Sequence, residues 1–193
     1  MIHTFTPEFY FHTSIPNHTE HKSILLPKLE NDSRAYRDTS HGSGITSSRL
    51  NNYDLFHTEF VEDVIWKPFN QMLTEFDSCF NKLKIHSSKI IGIWWNHYEP
   101  YEVCNPHRHY GSDFTGIYLL HLEEPNSTKF LPTNNSANTY PLFDSIVGSE
   151  QCKEGDVLIF PGKILHWTTP VSTTRWAVVF DFKVEVDTSS GYL

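Results

Sequence analysis

His107, His109 and His166 stand in an order that demands two neighbouring extended ribbons. His107 and His109 stand one residue apart in Asn105-Pro106-His107-Arg108-His109-Tyr110-Gly111-Ser112-Asp113. Side chains on an extended backbone alternate between two faces, so residues one apart project to the same side. His166 closes a second segment, Glu154-Gly155-Asp156-Val157-Leu158-Ile159-Phe160-Pro161-Gly162-Lys163-Ile164-Leu165-His166. Three imidazoles converging from two strands cap one face of a metal ion and leave the other face open. Among twelve histidines a His-x-His pair alone carries little weight. The order carries more: the pair, a strand, Gly-Asp followed by an apolar run and Phe-Pro, then His166 and Arg175.

The rest of the chain supplies a frame for such a site. Thr4 to Ser14, with Phe5, Phe9 and Phe11, suggests an opening strand. A short helix is expected over Glu20 to Glu30, interrupted by Pro27. From Glu59 to Lys84, Phe60, Val61, Val64, Ile65, Phe69, Met72, Leu73, Phe76 and Phe80 recur every three or four positions. This is a helical stripe that faces a core, with a kink or break at Pro68. After His86 the period changes to two. Strands are expected at Lys89–Tyr98, Phe114–Leu122, Thr128–Leu131, Ser145–Val147, Val157–Phe160, Leu165–Thr169 and Thr174–Val184, separated by turn sequences such as Glu-Glu-Pro-Asn and Glu-Gly-Asp. Many short strands at this spacing give a β-sandwich or barrel, with the preceding helices covering one face. Asn31 to Asn52, poor in large apolar residues, is expected to be a surface loop or a lid over substrate. The whole reads as one domain of 193 residues, with 1–87 supporting a β core at 88–184.

Composition narrows the partners. The net charge is −8 with histidine neutral. No run of basic residues offers the footprint that duplex nucleic acid requires. Cys79, Cys104 and Cys152 are odd in number and widely spaced, which is neither a disulfide framework nor a zinc-ribbon pattern. No apolar run is long enough to cross a bilayer, and no secretory leader is evident, so a cytoplasmic protein is expected. The oligomeric state is not legible.

These segments resemble the Fe(II)- and 2-oxoglutarate-dependent oxygenases, in particular the small bacterial and phage-type, prolyl-hydroxylase-like members. The shared elements are Pro-His-x-His, the strand Thr115-Gly116-Ile117-Tyr118-Leu119-Leu120, the Gly-Asp…Phe-Pro…His segment and the strand bearing Arg175. The resemblance covers Lys89 to Phe182 specifically and the region before Lys89 weakly. It implies a mainly β, α+β fold with a double-stranded β-helix (jelly-roll, cupin-like) core. It also implies Fe(II) as metal and 2-oxoglutarate as co-substrate, with hydroxylation of a small-molecule or peptidyl substrate and release of succinate and CO2.

Carried over residue by residue, His107, His109 and His166 become the metal ligands. Arg175 becomes the arginine that pairs with the distal carboxylate of 2-oxoglutarate; where many members add a Ser two positions on, this chain has Ala177. Tyr118 matches a tyrosine directed into the same pocket, and Asn96 is a further candidate contact to 2-oxoglutarate. A histidine at 109 departs from the carboxylate usual in the wider superfamily. Three readings stay open: a three-histidine site, a site using Asp113 as its carboxylate, or a position filled by water. Asp113 is four residues past His109, about 13 Å along an extended strand, and needs a turn to return. His97 and His121 are expected to be structural, and Trp94, Trp95 and Trp167 to shape the pocket wall or core, with Trp167 facing away from His166. Two other classes remain: a cupin-type metal enzyme that does not use 2-oxoglutarate, and a non-catalytic β-sandwich binding module.

Overall fold

Long β-branched and aromatic runs set up the sheets, and the alternation within them decides which face each residue joins. The computed structural model describes residues 2–5, 8–39, 44–48, 53–80, 85–131 and 146–186. The elements are β1 (Ile2–Phe5), β2 (Glu8–Ser14), α1 (His18–Glu30), β3 (Tyr36–Asp38), β4 (Ile45–Ser47), a 3₁₀ turn (Tyr53–Leu55), α2 (Thr58–Phe60), a π-helical stretch (Val61–Trp66) and α3 (Lys67–Phe80). Then follow β5 (Ile85–Tyr98), β6 (Phe114–Leu122), β7 (Thr128–Leu131), β8 (Val147–Gly148), β9 (Asp156–Pro161), β10 (Leu165–Thr168) and β11 (Arg175–Val186).

An eight-stranded antiparallel sheet runs β1-β2-β9-β6-β11-β5-β4-β3, and a three-stranded one runs β10-β7-β8. Successive strands cross repeatedly between the two sheets, which is how a jelly roll is wound. Two cores result from the period-two alternation. On one face of the large sheet, Phe11, Trp95, Tyr118, Leu120, Val178 and Phe180 pack against Leu25, Phe60, Ile65, Phe69 and Met72 of the helices. On the other, Ile117, Leu119, Leu158, Phe160 and Ala177 meet Phe130 of the small sheet. The sandwich interior is therefore the second core, and the site opens from it.

Pro27 departs from the sequence expectation, whereas Pro68 adjoins a change of helix type. Pro27 lies inside α1, which continues to Glu30 without interruption. Pro68 sits one residue into α3, directly after the π-helical stretch, where the Lys67 N–H reaches back five residues to the Glu62 carbonyl. The wider turn absorbs the proline without ending the helical run. The segment 31–52, expected as a loop or lid, contributes β3 and β4, which extend the large sheet along β5. Residues 40–43 and 49–52 of it lie outside the described residues, as do 81–84 of the expected helix and Ser145 of the expected strand. Among the described residues no helix is long and apolar enough to cross a membrane.

Candidate metal and 2-oxoglutarate site

The two ribbons meet through backbone bonds before any side chain is considered. His107 and His166 form an isolated antiparallel bridge, each N–H donating to the other's carbonyl at 2.9 and 3.1 Å. Such a pair puts both side chains on the same side. The segment carrying His107 and His109 is otherwise irregular, not the regular strand expected from sequence. His109 is fixed two residues on, its N–H donating to the Gly162 carbonyl at 2.8 Å. Gly162 permits that approach: a Cβ there would fall 2.9 Å from the Ser112 carbonyl oxygen and 3.0 Å from that of His109.

One ligand atom from each of His107, His109 and His166 lies within 4.8 Å of the other two. In every case Nδ1 is engaged elsewhere. His107 Nδ1 meets the Asn105 carbonyl at 2.8 Å, His166 Nδ1 the Ile164 carbonyl at 3.0 Å, and His109 Nδ1 the Asp181 carboxylate at 2.9 and 3.1 Å. Those partners fix the tautomer with the proton on Nδ1, which makes Nε2 the donor atom toward a shared ion. Burial, reinforced by the neighbouring His107 and His109, holds the His166 imidazole well below the usual histidine range. It is thus kept in the neutral form that binds metals. Trp94 stacks on His109 with 5.6 Å between ring centroids.

Arg175 borders the same cavity. It is only 2% exposed, and Nη1 and Nη2 donate to Ser127 Oγ and Thr128 Oγ1, both at 3.1 Å. Its guanidinium carbon lies 5.1 Å from the centroid of the Tyr98 ring. Among the described residues no carboxylate pairs with it, and its Nε has no partner. Burial lowers its pKa, yet a guanidinium starts so high that it stays charged. A buried, unpaired cation costs several kcal/mol and calls for an anion. The hydroxyls that orient it come from β7 and the residue before it, on the opposite sheet, and not from the position two residues on, where Ala177 lines the cavity.

Other predicted residues divide by strand parity. Asn96 borders the cavity with Trp94 and Tyr98 of the same strand and accepts a hydrogen bond from Ser47 Oγ at 2.7 Å. Tyr118 does not border it. Its ring is buried in the helix-facing core against Phe60, and its hydroxyl meets His18 Nδ1 at 2.7 Å. The expected role in binding 2-oxoglutarate is therefore corrected: on β6 it is Ile117, one residue earlier, that faces the site. Asp113 lies apart from the three histidines, its carboxylate accepting from the Val184 N–H at 3.0 Å and from Lys183 at 3.1 Å. His97 stacks on Trp176 and His121 joins Lys22 and Glu154, both away from the cavity. Trp95 is in the helix-facing core, while Trp167, expected to face away from His166, also borders the cavity.

Sequence reasoning missed Asp181, Tyr98, Ser127 and Thr128. Parity held the signal for two of them. Asp181 follows Arg175, Ala177 and Val179 at steps of two along β11, and Tyr98 follows Asn96 on β5.

No family model matches the chain, and no curated protein matches it in sequence. Solved structures do. A prolyl-4-hydroxylase from Pseudomonas putida superposes with a TM-score of 0.59 at 9% identity, covering 93% of this chain and 95% of that one. The fold is that of the 2-oxoglutarate- and Fe(II)-dependent oxygenases. A prolyl hydroxylase from Trichoplax adhaerens, solved with a peptide fragment of hypoxia inducible factor, gives 0.60 at 10% identity over 90% and 82%. The non-heme α-ketoglutarate-dependent epimerase SnoN of nogalamycin biosynthesis gives 0.64 at 12% over 90% and 77%. The jelly roll expected from the sequence is thus the observed architecture.

Proposed function

We propose that this protein is an Fe(II)- and 2-oxoglutarate-dependent oxygenase that hydroxylates an unactivated C–H bond, releasing succinate and CO2. The observation that carries the reading is the pairing, on one cavity, of three convergent imidazoles with a buried guanidinium that no carboxylate among the described residues pairs with. The residues present fit both groups. Three neutral imidazoles suit a divalent transition metal and leave coordination positions open. An arginine fork that no carboxylate among the described residues engages suits the far carboxylate of a dicarboxylic keto acid.

When bound, iron with 2-oxoglutarate supplies the activation of O2 that attack on a C–H bond requires. The chain's own residues do the rest. His107, His109 and His166 hold the ion from one side; Arg175, set by Ser127 and Thr128, fixes the co-substrate's orientation. Asn96 and Tyr98 add polar contacts along β5. Ile117, Val179 and Trp94 keep the cavity wall apolar, which strengthens the charged contacts by excluding water.

A peptidyl or amino-acid side chain is the favoured substrate class, supported by the prolyl hydroxylases among the structural neighbours, one of them bound to a peptide. A metal enzyme that dispensed with 2-oxoglutarate would leave Arg175 buried with no counter-charge among the described residues. A plain binding module would leave three imidazole donors converging on nothing. Purified protein supplied with Fe(II), ascorbate and air is expected to convert 2-oxoglutarate slowly into succinate even without substrate. Conversion no faster than in an Arg175→Met variant would overturn the reading.

A further inference from the structure

The three histidines are not equivalent. His107 and His166 each give their Nδ1 proton to a backbone carbonyl, whereas His109 gives its own to a carboxylate. Asp181 projects from β11, and its Oδ1 accepts from Thr115 Oγ1 at 2.6 Å while both oxygens face His109 Nδ1. The imidazole and carboxylate are both largely sequestered, with side chains 8% and 16% exposed. His109 borders the cavity and Asp181, bonded to its Nδ1, does not.

We propose that Asp181 is a positioning residue that supplies the site's negative charge through His109, so that the acid–imidazole pair stands where a directly ligating carboxylate would otherwise be. The inference rests on the metal-site reading above. A carboxylate behind an imidazole raises the basicity of the distal nitrogen and locks the ring's orientation. A backbone carbonyl does the second but contributes less to the first, having no net charge. Thr115 keeps the carboxylate pointed at His109 and satisfies a second lone pair, so that a buried acid is not left half-bonded.

The test uses Co(II) alone, without 2-oxoglutarate, on the full chain. Asp181→Asn keeps the shape and is expected to weaken Co(II) binding about 10- to 100-fold. Asp113→Asn, directly before β6 and bonded to Lys183 and the Val184 N–H, is expected to leave it unchanged. A structural role would not move a second readout, the paramagnetically shifted, exchangeable imidazole N–H resonances of the Co(II) protein. Three are expected in the wild type, and in Asp181→Asn one of them should shift or vanish by exchange with water. Should Asp181→Asn fail to fold, Thr115→Val, which keeps the acid but frees it, is expected to give the same two changes in weaker form. Wild-type affinity and an unaltered spectrum in the folded variant would overturn the inference while leaving the three-histidine site standing. A wild type that binds no Co(II) would overturn both.

Discussion

Replacing Arg175 by methionine separates a functional buried cation from a structural one. In a structural ion pair, removing one partner costs about 3–5 kcal/mol because the other charge stays buried and alone. Arg175 has no such partner among the described residues; it holds only two hydroxyls and the face of Tyr98. Methionine forfeits those hydrogen bonds but relieves the desolvation of a charge, two effects of a few kcal/mol each and opposite in sign. The stability of the ligand-free protein should therefore change by less than about 2 kcal/mol. Co-substrate affinity should respond very differently. Losing the buried, charge-assisted bond to a carboxylate costs about 2–5 kcal/mol, or roughly 30- to several-thousand-fold in Kd. With 2-oxoglutarate at about 100 times the wild-type Kd, binding adds about 2.7 kcal/mol to the wild type. It adds at most about 0.9 kcal/mol to a variant weakened 30-fold. For a chain of this length roughly 2–4 °C of Tm follows each kcal/mol. Thermal melts of the Mn(II) proteins with and without 2-oxoglutarate read both quantities. A large drop in ligand-free Tm with an intact ligand-induced rise would refute the reasoning.

Three further outcomes follow from the geometry. Tyr118→Phe removes the hydroxyl that meets His18 and should cost about 1 kcal/mol of stability, leaving 2-oxoglutarate affinity at the wild-type value; a selective loss of affinity by calorimetry would return Tyr118 to the site. Gly162→Ala forces a Cβ against the carbonyls of Ser112 and His109. It should destabilise the fold by about 1–3 kcal/mol and weaken Co(II) binding together, and unchanged metal affinity would contradict the strut assigned to it. Although burial works against ionisation of Glu154, Lys22, the Leu122 N–H, His18 and His121 hold its pKa down at about 2. A depressed acid contributes stability that is present above the usual glutamate range near 4.5 and lost as pH falls toward 2. After discounting for solvent screening the contribution is about 1–2 kcal/mol. Glu154→Gln should therefore approach wild-type stability in acid denaturation scans at low pH and fall below it at neutral pH.

What is legible in the sequence is whatever local order dictates. The His-x-His spacing, the strand after it and the Gly-Asp turn before β9 are short-range patterns, and the ribbons they describe do meet. Gly155 in that turn has φ +88°, a conformation that glycine adopts without steric penalty. Residues whose role depends on a second strand are harder to see. Motif position assigns Tyr118 to the pocket, but alternation turns it to the helices. Asp181 sits seventy-two residues from His109; parity along β11 gives its face, but its meeting with His109 depends on the pairing of β11 with β6. Ser127 and Thr128 reach Arg175 from the opposite sheet, an approach that no local pattern announces. The segment 31–52 reads as loop because β3 and β4 have three residues each and borrow their order from β5.

The claim on which the account depends is that one cavity holds a metal on His107, His109 and His166 and a keto acid on that metal and Arg175. Anaerobic addition of Fe(II) and then 2-oxoglutarate tests it by visible absorption. A weak charge-transfer band is expected in the wild type, absent in His166→Ala and restored in Arg175→Met only at much higher 2-oxoglutarate. No band in the wild type at saturating metal and co-substrate, or a band that survives in His166→Ala, would contradict it.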